Sequence, residues 1–187
     1  MGMPYPAEEW TADRVRELPE DGRRYELVDG ALLVTPAPGA RHQIAVRELV
    51  RRIDPWLLGS GAGELLWSPA DIAFSDGELL QPDLFVYRTA GGGAIREWRD
   101  IESLILVVEV ISPSTARHDR GVKRRRYQRA RVPEYWIVDP DARLVERWRP
   151  DDARPEILET SIEWRPAEGI APLVIDLGAV FDAVGGP

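Results

Sequence analysis

The stretch SLILVVEVISPSTARHDRGVKRRRYQRARVPEYWIVD, residues 103–139, decides the fold, and it reads as strand, turn, helix, strand. Residues 104–111 form an apolar, largely β-branched run broken once, by Glu109. Such a run is the pattern of a strand covered on both faces. A carboxylate there is costly to bury unless a cation meets it. Ser112-Pro113-Ser114-Thr115 ends the strand, and Thr115 is placed to cap the helix that follows.

Within that helix Ala116, Asp119, Lys123, Tyr127 and Ala130 fall at spacings of three and four, so they share one face. This least exposed stripe of a very basic helix should pack on the sheet, yet it holds an acid and a lysine. Of the 24 basic residues in the chain, Lys123 alone is a lysine. Arginine stays protonated and forks, whereas lysine is a point charge whose pKa responds to burial, so the exception is chemical. From Glu109 the strand advances roughly 7 Å to its end. A helix running back along the sheet brings Lys123 about 10 Å along its axis, level with Glu109.

A second carboxylate stands in Gln81-Pro82-Asp83-Leu84-Phe85-Val86-Tyr87, where Pro82 opens a strand at a tolerated position and Asp83 follows it. Two carboxylates from adjacent strands suit a hard divalent cation such as Mg²⁺, which keeps waters and accepts phosphate oxygens. A lysine beside them would orient water or offset charge in a transition state.

These pieces resemble a known family. Pro82-Asp83 followed by Glu109-Val110-Ile111 is similar to the PD-(D/E)XK signature of restriction-endonuclease-like nucleases. More closely, the chain resembles the Uma-type restriction endonuclease family of bacteria, formerly a domain of unknown function. The matching segments are Arg24-Tyr25-Glu26-Leu27-Val28-Asp29-Gly30, Gln81-Pro82-Asp83, Val108-Glu109-Val110-Ile111-Ser112-Pro113-Ser114-Thr115, Asp119 with Lys123 and Tyr127, and Glu134-Tyr135-Trp136-Ile137-Val138-Asp139, in family order. The usual lysine slot, two residues after Glu109, holds Ile111; the resemblance implies that Lys123 on the next helix takes its place.

The resemblance implies an α/β (α+β) fold: a restriction-endonuclease-like core, a mixed β-sheet flanked by helices, with extra β-hairpins. It implies a metal-dependent endonuclease that hydrolyses DNA. Asp83, Glu109 and the Val110 carbonyl would hold Mg²⁺, for which Mn²⁺ can substitute. Lys123 completes the catalytic set, with Glu26, His42, Asp119 and Tyr127 in support. A homodimer is expected, because cutting both strands commonly takes two sites. A second reading stays open: a catalytically degenerate nuclease-fold module that binds nucleic acid or a protein partner, to which the displaced lysine and the acidic charge both point.

Composition agrees with one domain over residues 1–187, since 44% hydrophobic residues can fill a sizeable core. Without cysteine, neither a disulfide framework nor a thiolate metal site is available. No membrane-spanning or signal-like run stands out, so the expectation is a cytoplasmic protein. The net charge of −8 is unusual for a nucleic-acid binder. Arg117, His118, Arg120, Lys123, Arg124, Arg125, Arg126, Arg129 and Arg131 crowd one helix, which either faces phosphates, or is a solvated face, or pairs with acidic residues of another subunit. No glycine-rich phosphate loop precedes a helix, and no serine–histidine–aspartate arrangement has recognisable context.

Elsewhere the pattern predicts a short helix over residues 11–18 and a hairpin, 24–28 and 31–35, about Asp29-Gly30. A helix over residues 40–58 should be bent or ended by Pro55. His42, near that helix's start, is a candidate for phosphate contact or proton transfer, and Glu26 for either metal support or a structural salt bridge. Strands are expected at 64–67, 71–74, 134–138 and 144–148, and residues 89–93 as a glycine-rich connector. Residues 156–164 should be strand-rich, and residues 172–181 a final strand and short helix. Trp136, Trp148 and Trp164 lie among apolar residues, which points to packing before base stacking.

Overall fold

The computed structural model describes residues 10–75, 77–89 and 95–185. Most of the connector expected at 89–93, and Asp76 of an expected turn, lie outside them.

Helix α1 (Ala12–Arg16) is capped by Thr11, whose hydroxyl accepts from Arg14 N–H. Strands β1 (Arg24–Val28) and β2 (Ala31–Thr35) form the expected hairpin. Asp29 and Gly30 both take positive φ, 52° and 76°, as a tight two-residue turn requires. Helix α2 (Ala40–Ser60) continues through Pro55 and stops at Gly61, whose left-handed conformation lets its N–H reach Leu57 O at 2.8 Å. Ala45, Val46, Leu49, Ile53 and Leu57 give it the buried stripe that decides its position.

The main sheet has six strands in the order β3 (Glu64–Trp67), β4 (Leu84–Arg88), β5 (Ser103–Val110), β6 (Tyr135–Asp139), β7 (Leu144–Trp148) and β8 (Glu156–Leu158). Only the β5–β6 pair is parallel, and the crossover between them is the basic helix. This is the mixed, helix-flanked sheet expected of the sequence. The strand expected at 71–74 is reduced to one bridge, Ile72 to Leu80. Asp83 falls one residue before β4 begins, where its side chain is released from the ladder.

That crossover helix, α3, runs in three segments: Ala116–His118, a π-helical turn Asp119–Lys123, and Arg124–Arg129. In the π turn Arg124 N–H reaches back five residues to Asp119 O, which also accepts the Tyr135 hydroxyl at 3.1 Å. Thr115 does not cap the helix with its side chain; its hydroxyl accepts from Ser112 N–H at 3.0 Å and closes the turn after β5 instead.

One face of the sheet is covered by α2, by the hairpin of β9 (Ser161–Trp164) and β10 (Leu173–Asp176), and by α4 (Leu177–Gly185), around Trp136, Trp164 and Phe181. The other face meets α3 and the β1–β2 hairpin, around Phe85, Tyr127, Tyr135 and Trp148. Trp136, Trp148 and Trp164 are all buried, as the packing reading expects. The β1–β2 hairpin is tied to the segment before Asp83 by reciprocal hydrogen bonds between Leu27 and Leu79, at 2.7 and 2.9 Å. That tie sets what β1 can place near Asp83.

Candidate active site

The β4–β5 register pairs Leu84 with Val108; one residue beyond on each strand stand Asp83 and Glu109. Arg24 and Glu26 are two apart on β1, so strand alternation puts them on one face, toward those two carboxylates. From α3, Asp119 and Lys123 face the same point, and α2 supplies His42 from its first turn.

The side chains form two linked clusters. Lys123 Nζ lies 2.5 Å from Glu109 Oε1, 2.9 Å from Glu26 Oε1 and 3.6 Å from Asp119 Oδ1. Tyr127 donates its hydroxyl to Glu109 Oε1 at 3.3 Å, and Gln81 N–H donates to Glu26 Oε1 at 2.8 Å. Asp83 Oδ1 accepts from Arg24 Nη1 at 2.7 Å, while its Oδ2 lies 2.8 Å from His42 Nε2 and accepts Val110 N–H at 2.8 Å. Arg24 is itself fixed by Ser68 Oγ and Gln81 O. His42 Nδ1 is buried without a partner among the described residues. Every residue singled out from the sequence is therefore brought together: Glu26, His42, Asp83, Glu109, Val110, Asp119, Lys123 and Tyr127.

Glu26, Asp83, Glu109, Asp119 and Lys123 are each exposed by 3% or less. Burial pushes the Asp83 carboxyl up, but the His42 hydrogen bond and the charges of Arg24, His42 and Lys123 outweigh it, leaving its pKa lowered to about 2. Burial also raises Glu109 well above the usual range, and there Lys123 is outweighed because Asp83, Asp119 and Glu26 add repulsion. Asp119 is raised in the same way, again chiefly by burial. Burial works against the Lys123 ammonium, yet Glu109 and Glu26 hold its pKa well above that of a free lysine.

Four carboxyl groups, Glu26, Asp83, Glu109 and Asp119, converge with Arg24, Lys123, His42 and His118 on a cavity of about 20 Å³. That is room for one water or one ion. Among the described residues no group of three or more histidine, aspartate or glutamate side chains forms a ready-made metal cage. Mg²⁺ seldom uses such a cage; it takes one or two carboxylates and completes its shell with water and phosphate oxygens. The converging carboxyl groups, the ion-sized cavity and the hard oxygen donors fit a divalent cation.

Sequence reasoning gave no role to Arg24, Ser68 or Gln81. The signal for Arg24 was present, two residues before Glu26 on a strand. Its partner, 59 residues away, was not legible. Four arginines of the basic helix have acid partners: Arg120 pairs with Asp139 and Glu146, Arg126 with Glu78, Arg129 with Asp29 and Arg131 with Asp151, while Arg117 and Arg125 are exposed. Arg124 lies over the Trp148 ring. The acids that neutralise these arginines belong to the same chain.

The family model Uma2, described as "Putative restriction endonuclease", matches residues 12–178. The chain belongs to the Uma2 family. The Uma2 match spans every residue of the cluster. Five chains among solved structures also match. One is a "putative nuclease belonging to DUF820" from Anabaena variabilis ATCC 29413, with a TM-score of 0.70 at 18% identity, covering 94% of this chain and 99% of that one. At such identity the likeness establishes a shared fold. No curated protein matches. Among the described residues no helix is long and apolar enough to cross a membrane.

Proposed function

We propose that this Uma2 protein is a divalent-metal-dependent endonuclease that hydrolyses DNA phosphodiester bonds at the Asp83–Glu109–Lys123 cluster. The observation that carries the reading is the convergence of four buried carboxyl groups with Lys123 and Arg24 on an ion-sized cavity. Membership of a family described as restriction endonucleases supports it.

Asp83, Glu109 and the Val110 carbonyl would hold Mg²⁺ or Mn²⁺. When bound, the ion polarises a phosphate oxygen and lowers the pKa of water. Asp83 stays ionised because Arg24, His42 and the Val110 amide all favour its charged form. Lys123 holds Glu109 and Glu26 in place, and its fixed ammonium offsets negative charge as it develops on the phosphate. Tyr127 orients Glu109, and Asp119 and Glu26 orient Lys123. Arg24 and His42 line both the cavity and the groove outside it, so a phosphate arriving from the groove meets their donors first.

The reading extends to a homodimer in the cytoplasm, the dimer being open to light scattering. Its test is plasmid nicking with Mn²⁺ and Mg²⁺ by the wild type, Asp83→Asn and Lys123→Ala. Cleavage by the wild type alone is expected. Equal cleavage by all three, or by none on several substrates, overturns it, and the second result favours a binding module.

A further inference from the structure

A groove of about 740 Å³ opens onto the rim of the acidic cavity, and the two share Arg24, His42 and Asp83 as a common wall. Glu26 and Glu109 line the cavity behind that wall, 3% and 2% exposed. A strand lying in the groove brings its phosphates to that wall.

Trp67 lines that groove. It ends the edge strand β3, paired with Leu84, and the next residue's N–H, that of Ser68, donates to Asp83 O at 3.1 Å. The indole is thus anchored one ladder step from Asp83, yet it is 50% exposed, whereas Trp136 and Trp164 are 1% exposed or less. A lone exposed apolar side chain is ordinary on a surface. This one stands on the path to the carboxylates.

The charges decide which nucleic acid fits. Duplex DNA is bound chiefly through its phosphates, by many unpaired cations. This chain carries a net charge of −8, and arginines of its most basic helix are held by its own acids. In the groove, Arg16 pairs with Asp13, Arg23 with Asp21 and Arg24 with Asp83. Electrostatic attraction to a backbone is therefore weak, and affinity must come from a source that does not depend on net charge. Stacking on an exposed indole is such a source, worth roughly 1–3 kcal/mol per base, but it needs a base free of its own stack. The groove's size also lies in the range of ligand pockets, roughly 300–1,000 Å³, which suits nucleotides entering singly.

We propose that the groove binds an unpaired nucleic-acid strand, with Trp67 stacking on the base beside the phosphate that Arg24 and His42 receive. This rests on the nuclease reading and narrows its substrate to single-stranded or locally unpaired segments, which a negatively supercoiled plasmid also offers. The shared chemistry is an exposed base next to a phosphodiester, in DNA or RNA.

The experiment is fluorescence anisotropy with short oligo-dT, oligo-U and a blunt DNA duplex, in Ca²⁺, on wild type, Trp67→Ala and Trp67→Phe. Single strands are expected to bind about tenfold or more tighter than duplex, the better of oligo-dT and oligo-U identifying the sugar. Trp67→Ala should weaken single-strand binding by roughly 5- to 150-fold, and Trp67→Phe should retain most of it. A 2-aminopurine in the oligonucleotide reads stacking on the wild type directly, so the result does not depend on Trp67→Ala folding. Duplex binding as tight as single-strand binding, unchanged 2-aminopurine fluorescence, or full affinity in Trp67→Ala overturns the proposal. If the wild type nicks plasmid while any of those holds, this inference alone falls; if it neither nicks nor binds nucleic acid, the nuclease reading falls with it.

Discussion

Lys123→Met removes one charge from a place where charges are hard to balance. Methionine fills much of the lysine's volume, so the loss is electrostatic. Lys123 Nζ meets Glu109 at 2.5 Å, Glu26 at 2.9 Å and Asp119 at 3.6 Å, with every partner nearly out of contact with water. Without it, four carboxyl groups face Arg24 as their one permanent cation. Breaking a buried ionic cluster by removing one partner typically destabilises by about 3–5 kcal/mol, because the remaining charges stay buried and unpaired. A whole fold is worth about 5–15 kcal/mol. For a chain of 187 residues each kcal/mol moves the melting temperature by about 2–4 °C, so the expected fall is roughly 6–20 °C in EDTA at neutral pH. Differential scanning calorimetry measures it. Two further results belong to the same reasoning. Glu109→Gln in the Lys123→Met background should recover part of the loss, as charges in contact couple by about 0.5–3 kcal/mol. Saturating Mn²⁺ should recover more, since it replaces the missing charge. A melting temperature within about 2 °C of wild type would refute the claim that Lys123 is the counter-charge of the cluster.

Two other variants separate effects that resemble one another. Asp83→Asn should lower stability by roughly 2 kcal/mol, the equivalent of a carboxyl held about two pH units below its ordinary value, whereas Glu109→Gln should leave the metal-free protein as stable or raise its melting point, because burial and three neighbouring acids oppose Glu109's charge. Chemical denaturation of both in EDTA is the check, and equal losses would show that the asymmetry between the two carboxylates is not real. At the sheet edge, an added Cβ at Gly63 would sit 2.8 Å from Tyr87 O, a backbone atom of β4 that cannot move cheaply. Gly63→Ala should therefore destabilise by about 1–3 kcal/mol, and an unchanged melt would mean that β3 is not seated as described.

The parts of the site legible in the sequence were those where a residue contradicts its surroundings. Glu109 interrupts an apolar strand, and Lys123 breaks a preference for arginine on the helix face that should be buried. Both departures are local, so spacing alone was enough to pair them. Arg24 was different: its partner Asp83 is reached through a hairpin docked by the Leu27–Leu79 hydrogen bonds, a contact between segments far apart in the chain. The π turn left no trace either, since its side-chain spacing resembles an ordinary helix and its extra carbonyl is satisfied by Tyr135 from the next strand. The helix arginines read as a phosphate-binding row as readily as a solvated one, because Asp29, Glu78, Asp139 and Asp151, which pair with four of them, are brought in by the fold.

The acidity of the chain and the composition of its site then have one explanation. A protein that binds nucleic acid through a basic face leaves many cations free, and here Arg24, Arg120, Arg126, Arg129 and Arg131 each pair with an intrachain acid. Four carboxyl groups converge on a cavity the size of one ion. Such a cluster raises the proton affinity of Glu109, and on the proposed reading it would supply the driving force for taking up a divalent cation, since each added positive charge would relieve repulsion among carboxylates that cannot turn to water. Affinity for the ion and strain without it are the same free energy seen from two states. A stable metal-free Glu109→Gln variant should consequently bind Mn²⁺ more weakly in proportion to the stability it gains, a relation that a merely structural ion-pair network has no reason to obey.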